Sequence, residues 1–412
     1  MINSPLVKNY KYEKFFIVSL SVLFILFLVG LTNDGIGNQA NILFAKANDY
    51  MADYYNVIRY SMVNNPYLFG QVDNIPHEHA YPPLTYVIFY LLSKFAGSPN
   101  LLLASSAFFM FISSAIFYLF LFDSYKGEKV YKFAISTLMM LSSIFIFSYE
   151  RGNTIIITSL LTSFFVLNYN SKNKVIKELA FIALAVAAAL KAYPAVLGIL
   201  LIFDKKYKEA VRLIIYGLIF SFFPFILLNG GFSNIPIWLK NLTLNSNAYN
   251  YGIFPRFNFR FWASHIGNVE YKTFIYGIFS KIDIILSVVA LVMAFFQKQW
   301  WKKIMQLLLI AVILPVNSAE YTGLYLFIGM ILFFNEENHN KFDWIYLILF
   351  ILILNPFQVM YNKGQVEWNI TVLMMNLSAS ILFLLLIGES IINFINFVLA
   401  KHKSLNSKKA VS

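Results

Sequence analysis

The chain has 412 residues, of which 59% are hydrophobic and only 13% charged, and its mean hydropathy is +0.65. A soluble domain carries about a quarter charged residues, so this composition nearly excludes a water-soluble enzyme and indicates an all-α membrane protein with many spans. The formal net charge of +12 is typical, in such a protein, of cytoplasmic loops rather than of nucleic-acid binding. The chain contains no cysteine, which excludes disulfides and thiolate-bound metals.

Apolar runs recur along the chain and predict about twelve transmembrane helices. The first run follows Lys8, Lys11 and Lys14 and has no small-residue cleavage site, so it is interpreted as a retained span and not as a signal peptide. The clearest spans are 15–32, 101–122, 132–149, 154–170, 211–228, 282–296, 342–357 and 370–399. Shorter pieces, broken by Pro or polar residues near their outer tips, are 178–191, 194–203, 304–316 and 321–334.

Lys and Arg are concentrated in alternate loops, which predicts that both termini are cytoplasmic. Two outer segments, about 33–100 and 229–281, are long enough to have structure of their own and to be functional. Within the first, the stretch 81–96 begins with Pro-Pro and is predicted to be a helix lying at the outer surface. We expect a single transmembrane domain over residues 1–403 and a disordered cytoplasmic tail at 404–412.

Ionisable residues at membrane depth are costly and are usually functional or paired. In the predicted topology the unusual ones share the outer side, and no acid is expected near the middle of a span, where a proton or ion pathway would place it. This convergence predicts a site that opens outside the cytoplasm. The residues are Asp49, Asp53, Arg59, Glu150, Arg151, Lys191, Arg256, Arg260, His265 and Glu320.

Asp49 and Asp53 are four residues apart, so both carboxylates would face one side of a helix. In a partly dry cleft such a carboxylate can act as a general base. From the residues alone, a solvated loop acid or a helix N-cap is the alternative.

Arg256 and Arg260 are also four residues apart and lie among Phe residues. Guanidinium groups match phosphate oxygens, so this segment could bind a phosphate; an interfacial helix with snorkelling arginines is the alternative. Lys191 ends a very apolar helix, where a lysine often snorkels.

Glu150 and Arg151 could pair with each other. His265 is a lone histidine for which a structural role is favoured, and the five histidines have no metal-ligand spacing, so no zinc site is predicted.

Several motifs, in their order along the chain, resemble the GT-C class of glycosyltransferases, and most closely the family 87 mannosyltransferase-like group. The resemblance covers roughly residues 45–335. The motifs are Asn48-Asp49-Tyr50-Met51-Ala52-Asp53, Asn65-Pro66-Tyr67, Tyr81-Pro82-Pro83-Leu84, Arg151-Gly152-Asn153, Lys191-x-Tyr193-Pro194 and the stretch from Pro315 to Tyr321.

The resemblance implies a GT-C-type helical bundle and transfer of a sugar from a polyprenyl-phosphate donor to a glycan or lipid acceptor on the extracytoplasmic face, with inversion. An Asp of the first outer loop would be the base, and the distance to Pro66 favours Asp49 over Asp53. We expect the donor phosphate to be bound by Arg151, Lys191, Arg256 and Arg260, and the substrates by Tyr67, Tyr81, Asn153, Tyr193, His265 and Glu320.

No cofactor is required by this chemistry, because a lipid-linked phosphate is a tolerable leaving group without a metal; a divalent ion on a first-loop acid stays open. The alternative functions are a transporter, a lipid flippase or a polysaccharide polymerase. A transporter would have repeated halves with charges at the midplane, and a polymerase would have one dominant late outer loop.

Overall fold

The computed structural model describes residues 10–33, 51–68, 80–95, 97–249, 257–265, 269–315, 319–363 and 366–409. Within these residues the chain is helical, apart from an antiparallel hairpin of strands β1 (Met360–Lys363) and β2 (Val366–Asn369). The α-helices are α1 (Lys11–Asn33), α2 (Ala52–Ser61), α3 (Pro83–Ser93), α4 (Pro99–Ser124), α5 (Lys129–Met140), α6 (Ser143–Glu150), α7 (Ile155–Asn168), α8 (Lys174–Leu190), α9 (Ile199–Phe203), α10 (Tyr207–Phe222), α11 (Asn234–Tyr249), α12 (Arg260–His265), α13 (Val269–Met293), α14 (Trp300–Ile313), α15 (Leu326–Phe334), α16 (Asp343–Leu354) and α17 (Ile370–Lys409). Short 3₁₀ helices lie at Tyr193–Gly198, Phe223–Leu227, Gly231–Ser233, Ala294–Phe296 and Glu320–Tyr325.

A helix lies over each apolar segment that the sequence predicted, but the number of spans is a separate question. Among the described residues, five helices are long and apolar enough to cross a membrane, or six if the bent pair α5 and α6 is one span. The axis turns by 55° between α5 and α6, a break that the sequence analysis did not anticipate. Five further apolar helices have 10–17 residues, fewer than the roughly 20 needed for a straight crossing. The count of about twelve therefore stays a prediction.

The interior of the bundle is formed by α14, α15 and α16. Every residue of α14 from Ile304 to Ile313 is buried, and α15 is buried over nearly its whole length. A helix that is apolar on all sides belongs in the interior. By contrast, α1, α4 and α13 expose most of their apolar side chains, as helices in contact with lipid would.

Both long segments that were predicted to lie on the outer side contain helices. The first contributes α2 and α3, and α3 falls within the predicted surface helix at 81–96, where Tyr86 and Phe89 are buried against the rest of the chain. The second contributes α11, α12 and the start of α13.

Two features of the fold differ from the sequence-based expectations. The expectation of no acid within a span is wrong, because Asp283 in α13 and Glu389 in α17 lie inside candidate spans, each in an ion pair with a basic residue. In addition, α17 continues to Lys409, past residue 404, where the disordered tail was expected to begin.

Candidate active site

The start of α2 is anchored to the end of α6 through the backbone. The Met51 N–H donates to the Glu150 carbonyl at 2.8 Å, and the Asp53 N–H donates to the Arg151 carbonyl at 3.0 Å. Gly152 permits this close approach, because its φ is +64° and a Cβ at this position would lie 2.8 Å from the Tyr54 Cβ. The motif around Asp53 is thereby held against the Arg-Gly-Asn motif that follows α6.

The Asp53 carboxylate accepts hydrogen bonds on both of its oxygens. Arg151 Nη2 donates to Oδ1 at 2.7 Å, and the side-chain amide of Asn153 donates to Oδ2. Asn153 is itself fixed, since its Oδ1 accepts the Ile155 N–H at the start of α7 at 2.9 Å. The Asp53 and Arg151 side chains are only 16% and 18% exposed. The orientation of the Asp53 carboxylate is therefore set by one hydrogen bond on each of its oxygens.

Lys191 lies in the two-residue break between α8 and the 3₁₀ helix Tyr193–Gly198. Its Nζ is 5.2 Å from the centroid of the Tyr321 ring, a cation–π contact. Burial lowers the pKa of Lys191 to about 8, and the nearby charge of Asp53 opposes this shift. Within the described residues, the ammonium has no hydrogen bond and no ion pair.

Aromatic residues complete the wall around Lys191 and Asp53. The Tyr321 ring stacks on Phe147 at 6.1 Å with an interplanar angle of 12°. Tyr81 lies close to Asp53 and Tyr321, and burial together with these neighbours raises its pKa well above the usual value. Tyr193 is close to Tyr321 as well. These residues form a cluster of polar and aromatic side chains, which we call the recess.

Tyr67 acts on this recess indirectly. Its hydroxyl donates to the Tyr81 carbonyl at 3.1 Å, and its ring packs edge-on against Tyr86 at 5.4 Å. The Tyr67 N–H donates to the Asn65 side chain at 2.9 Å. Tyr67 therefore helps to fix the backbone of Tyr81.

Glu320 begins the 3₁₀ helix that also carries Tyr321, and its side chain is 2% exposed. Neither carboxylate oxygen has a hydrogen-bond partner within the described residues, and the buried Glu150 side chain is close enough to interact electrostatically. Two buried carboxyl groups at close range cannot both be ionised cheaply, so we expect the pair to hold at least one proton.

Arg260, which was expected to bind phosphate, has other partners in the structure. Its side chain is 3% exposed, and Nε donates to Asp283 Oδ2 at 2.7 Å. Nη2 donates to the carbonyl of Leu314 at 2.8 Å. These contacts correct the predicted role, because the guanidinium is already neutralised and hydrogen-bonded inside the protein.

Three further predicted residues cannot be placed in the recess. Asp49 and Arg256 lie outside the described residues, and His265 ends α12 with its side chain outside them. The structure thus brings together Asp53, Arg151, Asn153, Lys191, Tyr81, Tyr193 and Glu320 of the predicted set.

Two functional candidates were missed from the sequence. Tyr321 was noticed only as the end of the stretch from Pro315, although its position directly after Glu320 was a usable signal. Asp283 lies in the predicted span 282–296, and an acid in an apolar run was a usable signal, but its partner Arg260 is 23 residues away and could not be identified from the sequence. Within the described parts of the chain, no group of three or more His, Asp or Glu could hold a metal, and the lack of a cofactor requirement stays a prediction.

Comparison with known proteins gives one match. The family model described as glycosyltransferase family 87 matches residues 79–319, which is more than half of the chain. The matched range includes Tyr81, Arg151, Asn153 and Lys191, whereas Asp49 and Asp53 precede it. No curated protein and no solved structure matches the chain.

Proposed function

The chain belongs to glycosyltransferase family 87 and is a membrane-embedded enzyme that transfers a sugar, and from this premise we propose that the sugar donor is a polyprenyl-phosphate sugar. The acceptor is a glycan or a lipid on the extracytoplasmic face, and the anomeric centre is inverted. The bundle is of the GT-C type with about twelve spans. The recess around Lys191 and Asp53 is its active site.

The unpaired ammonium of Lys191 is the observation that carries this proposal. Lys191 is half-buried and forms no ion pair within the described residues, although Asp53 is near enough to act on its charge. A partly desolvated cation of this kind is suited to a ligand that brings negative charge. Arg151 and Arg260 are engaged with Asp53 and Asp283, which leaves Lys191 as the described cation of the predicted phosphate-binding set that is free to meet a phosphate. Negative charge develops on the leaving polyprenyl phosphate, and Lys191 would stabilise it.

The contacts of Asp53 favour Asp49 as the general base. Both oxygens of Asp53 accept hydrogen bonds, so its orientation depends on Arg151 and Asn153 rather than on an acceptor hydroxyl. Asp49 precedes Met51 by two residues, and the Met51 N–H is bonded to the end of α6. Asp53 would thus anchor the segment that carries the base, together with Arg151 and Asn153.

The proposed reaction is a single displacement. The acceptor hydroxyl loses its proton to the Asp49 carboxylate while its oxygen attacks the anomeric carbon. The bond between that carbon and the phosphate oxygen breaks, and its electron pair leaves with the polyprenyl phosphate beside Lys191. The rings of Tyr81, Tyr193 and Tyr321 provide surfaces on which a sugar can pack.

The distribution of charge supports an extracytoplasmic site. The loops at the end of the bundle away from Asp53 carry Lys126, Lys172, Lys205 and Lys298, and such loops are typically cytoplasmic. At that end the Asn335 side chain joins the loop after α4, accepting the Lys126 N–H at 2.7 Å. The recess would then open on the other side of the membrane.

The test uses the purified full-length chain in lipid nanodiscs with a panel of polyprenyl-phosphate sugars, and it measures release of free polyprenyl phosphate. Nucleotide sugars form a second donor panel. Turnover of a polyprenyl-phosphate sugar that is lost in Lys191→Gln, but kept in Lys303→Gln at the opposite end, supports the proposal. Turnover with nucleotide sugars alone would overturn it. Protein-dependent movement of a labelled lipid across liposomes without any turnover would favour the transporter alternative.

A further inference from the structure

A buried ion pair joins α12 to α13 beside the proposed active site. Arg260 Nε lies 2.7 Å from Asp283 Oδ2, and the side chains are 3% and 0% exposed. Asp283 also accepts the backbone N–H groups of Phe259 at 2.9 Å and of Arg260 at 3.4 Å. The start of α12 is therefore tied to the middle of α13 through both backbone and side chain.

The same guanidinium also reaches the end of α14. Arg260 Nη2 donates to the carbonyls of Ile313 at 3.3 Å, Leu314 at 2.8 Å and Pro315 at 3.5 Å. The last carbonyls of a helix lack partners within the helix, and a cation there is favourable. Arg260 thus caps α14 at the point where the chain leaves for the 3₁₀ helix Glu320–Tyr325.

A second contact joins the same segment to that 3₁₀ helix. The Phe257 ring lies against Gly323, where an added Cβ would be 3.0 Å from the ring and 2.6 Å from Ile144 Cδ1. The segment from Phe257 to Arg260 therefore contacts the 3₁₀ helix itself and the chain leading into it. Because this helix carries Glu320 and Tyr321, the segment supports one wall of the recess from outside.

We propose that Arg260 and Asp283 form a positioning pair that holds the 3₁₀ helix Glu320–Tyr325 in place, and with it the Tyr321 ring beside Lys191. The pair touches no substrate, and it acts through the α14 terminus and Tyr321. A buried ion pair often adds little net stability compared with apolar residues, so a role in fixing one arrangement accounts better for its presence within a membrane bundle. Its consequence for catalysis rests on the proposed function, whereas its effect on the 3₁₀ helix does not.

The experiment measures hydrogen exchange and turnover in the full-length chain in nanodiscs. The variants are Arg260→Gln, Arg260→Lys and Asp283→Asn. Lys302→Gln is the matched control, because Lys302 is 5% exposed and paired with Glu389 at 2.7 Å at the other end of the bundle. We expect exchange of the amides in residues 313–325 to rise by about tenfold or more in Arg260→Gln and Asp283→Asn, to rise less in Arg260→Lys, and to stay unchanged in the control.

Turnover separates positioning from general stability. We expect kcat to fall by roughly ten- to hundredfold in Arg260→Gln, since small displacements of site residues are costly, with partial rescue in Arg260→Lys. The rate should also fall at a higher pH in Arg260→Gln than in the wild type. A displaced Tyr321 would expose Lys191 to water, so its ammonium would stay charged to a higher pH. Unchanged exchange at 313–325, or an equal loss of kcat in Lys302→Gln, would overturn the proposal. Increased exchange, when even the wild type turns over no donor, would support the positioning pair and reject the proposed function.

Discussion

Arg151 and Asp53 are 98 residues apart in the chain and form an ion pair of 2.7 Å. This pair connects the start of α2 to the end of α6, and two backbone hydrogen bonds at Met51 and Asp53 reinforce the connection. The carboxylate is shared with Asn153, so the two ends of the Arg-Gly-Asn motif hold one acid between them. These contacts support the role of an anchor that we propose for Asp53, with Asp49 as the proposed base.

The two aspartates should therefore respond differently to amide substitution. Asp49→Asn removes the proposed base, and we expect kcat to fall by about 10³-fold, within the range for general-base catalysis. Asp53→Asn keeps one carbonyl oxygen for Arg151 or Asn153, and we expect a smaller loss of about ten- to hundredfold, since a charge-assisted hydrogen bond is worth about 1.5–3 kcal/mol. Steady-state release of polyprenyl phosphate measures both. The reverse order would identify Asp53 as the base.

Lys191 gives the enzyme a predicted alkaline limit. Burial lowers its pKa to about 8, so the ammonium is charged below that pH and becomes neutral as pH rises through it. Because the charged form is the one that stabilises the leaving phosphate, kcat/KM should fall above about pH 8. In Lys191→Arg the charge persists at all accessible pH values, and the alkaline limb should disappear even if the maximal rate is lower. A limb that is unchanged in Lys191→Arg would assign the titration to another group.

Short stretches of sequence predicted most of the helices and several site residues, but not the contacts between residues that are far apart in the chain. Each predicted apolar segment coincides with a helix among the described residues, because a run of apolar residues favours a helix in lipid without reference to the rest of the chain. No predicted apolar span covered α2, α11 or α12. The motifs containing Asp53, Arg151, Lys191 and Glu320 also identified residues that the fold brings together. Contacts between residues that are far apart in the sequence could not be predicted from local motifs. A phosphate-binding role was therefore predicted for Arg260, which pairs with Asp283 in the structure. The bend between α5 and α6 was missed for a different reason, because no Pro or Gly marks it and its only local signal is Ser142, which caps α6 by accepting the Phe145 N–H.

Gly152 should be intolerant of a side chain. Its φ of +64° is strained for any residue with a Cβ, and that atom would lie 2.8 Å from the Tyr54 Cβ and 2.9 Å from Met51 Sδ. We expect Gly152→Ala to destabilise the protein by about 1–3 kcal/mol and to reduce kcat, because α2 must move away from α6. Gly217→Ala is the matched control, since Gly217 lies within α10 and a Cβ there meets nothing within 4 Å. The control should be neutral or stabilising by up to about 1 kcal/mol. Thermal unfolding in nanodiscs compares the two, and equal stability of both variants would contradict the close contact of α2 with α6.

The buried pair of Glu320 and Glu150 makes a further prediction about pH and stability. At low pH the pair holds a proton, and as pH rises that proton is lost, which leaves two like charges with little access to water. The thermal midpoint of the wild type should therefore fall between pH 6 and pH 9. Glu320→Gln has the same shape and needs no proton, so we expect its midpoint to depend less on pH and to exceed that of the wild type at pH 9. Glu320→Ala should be less stable at both values, because it leaves a cavity at a side chain that is 2% exposed. If Glu320→Gln shows the full pH dependence of the wild type, then the two carboxyl groups do not share a proton, and the stability of this wall depends on other groups.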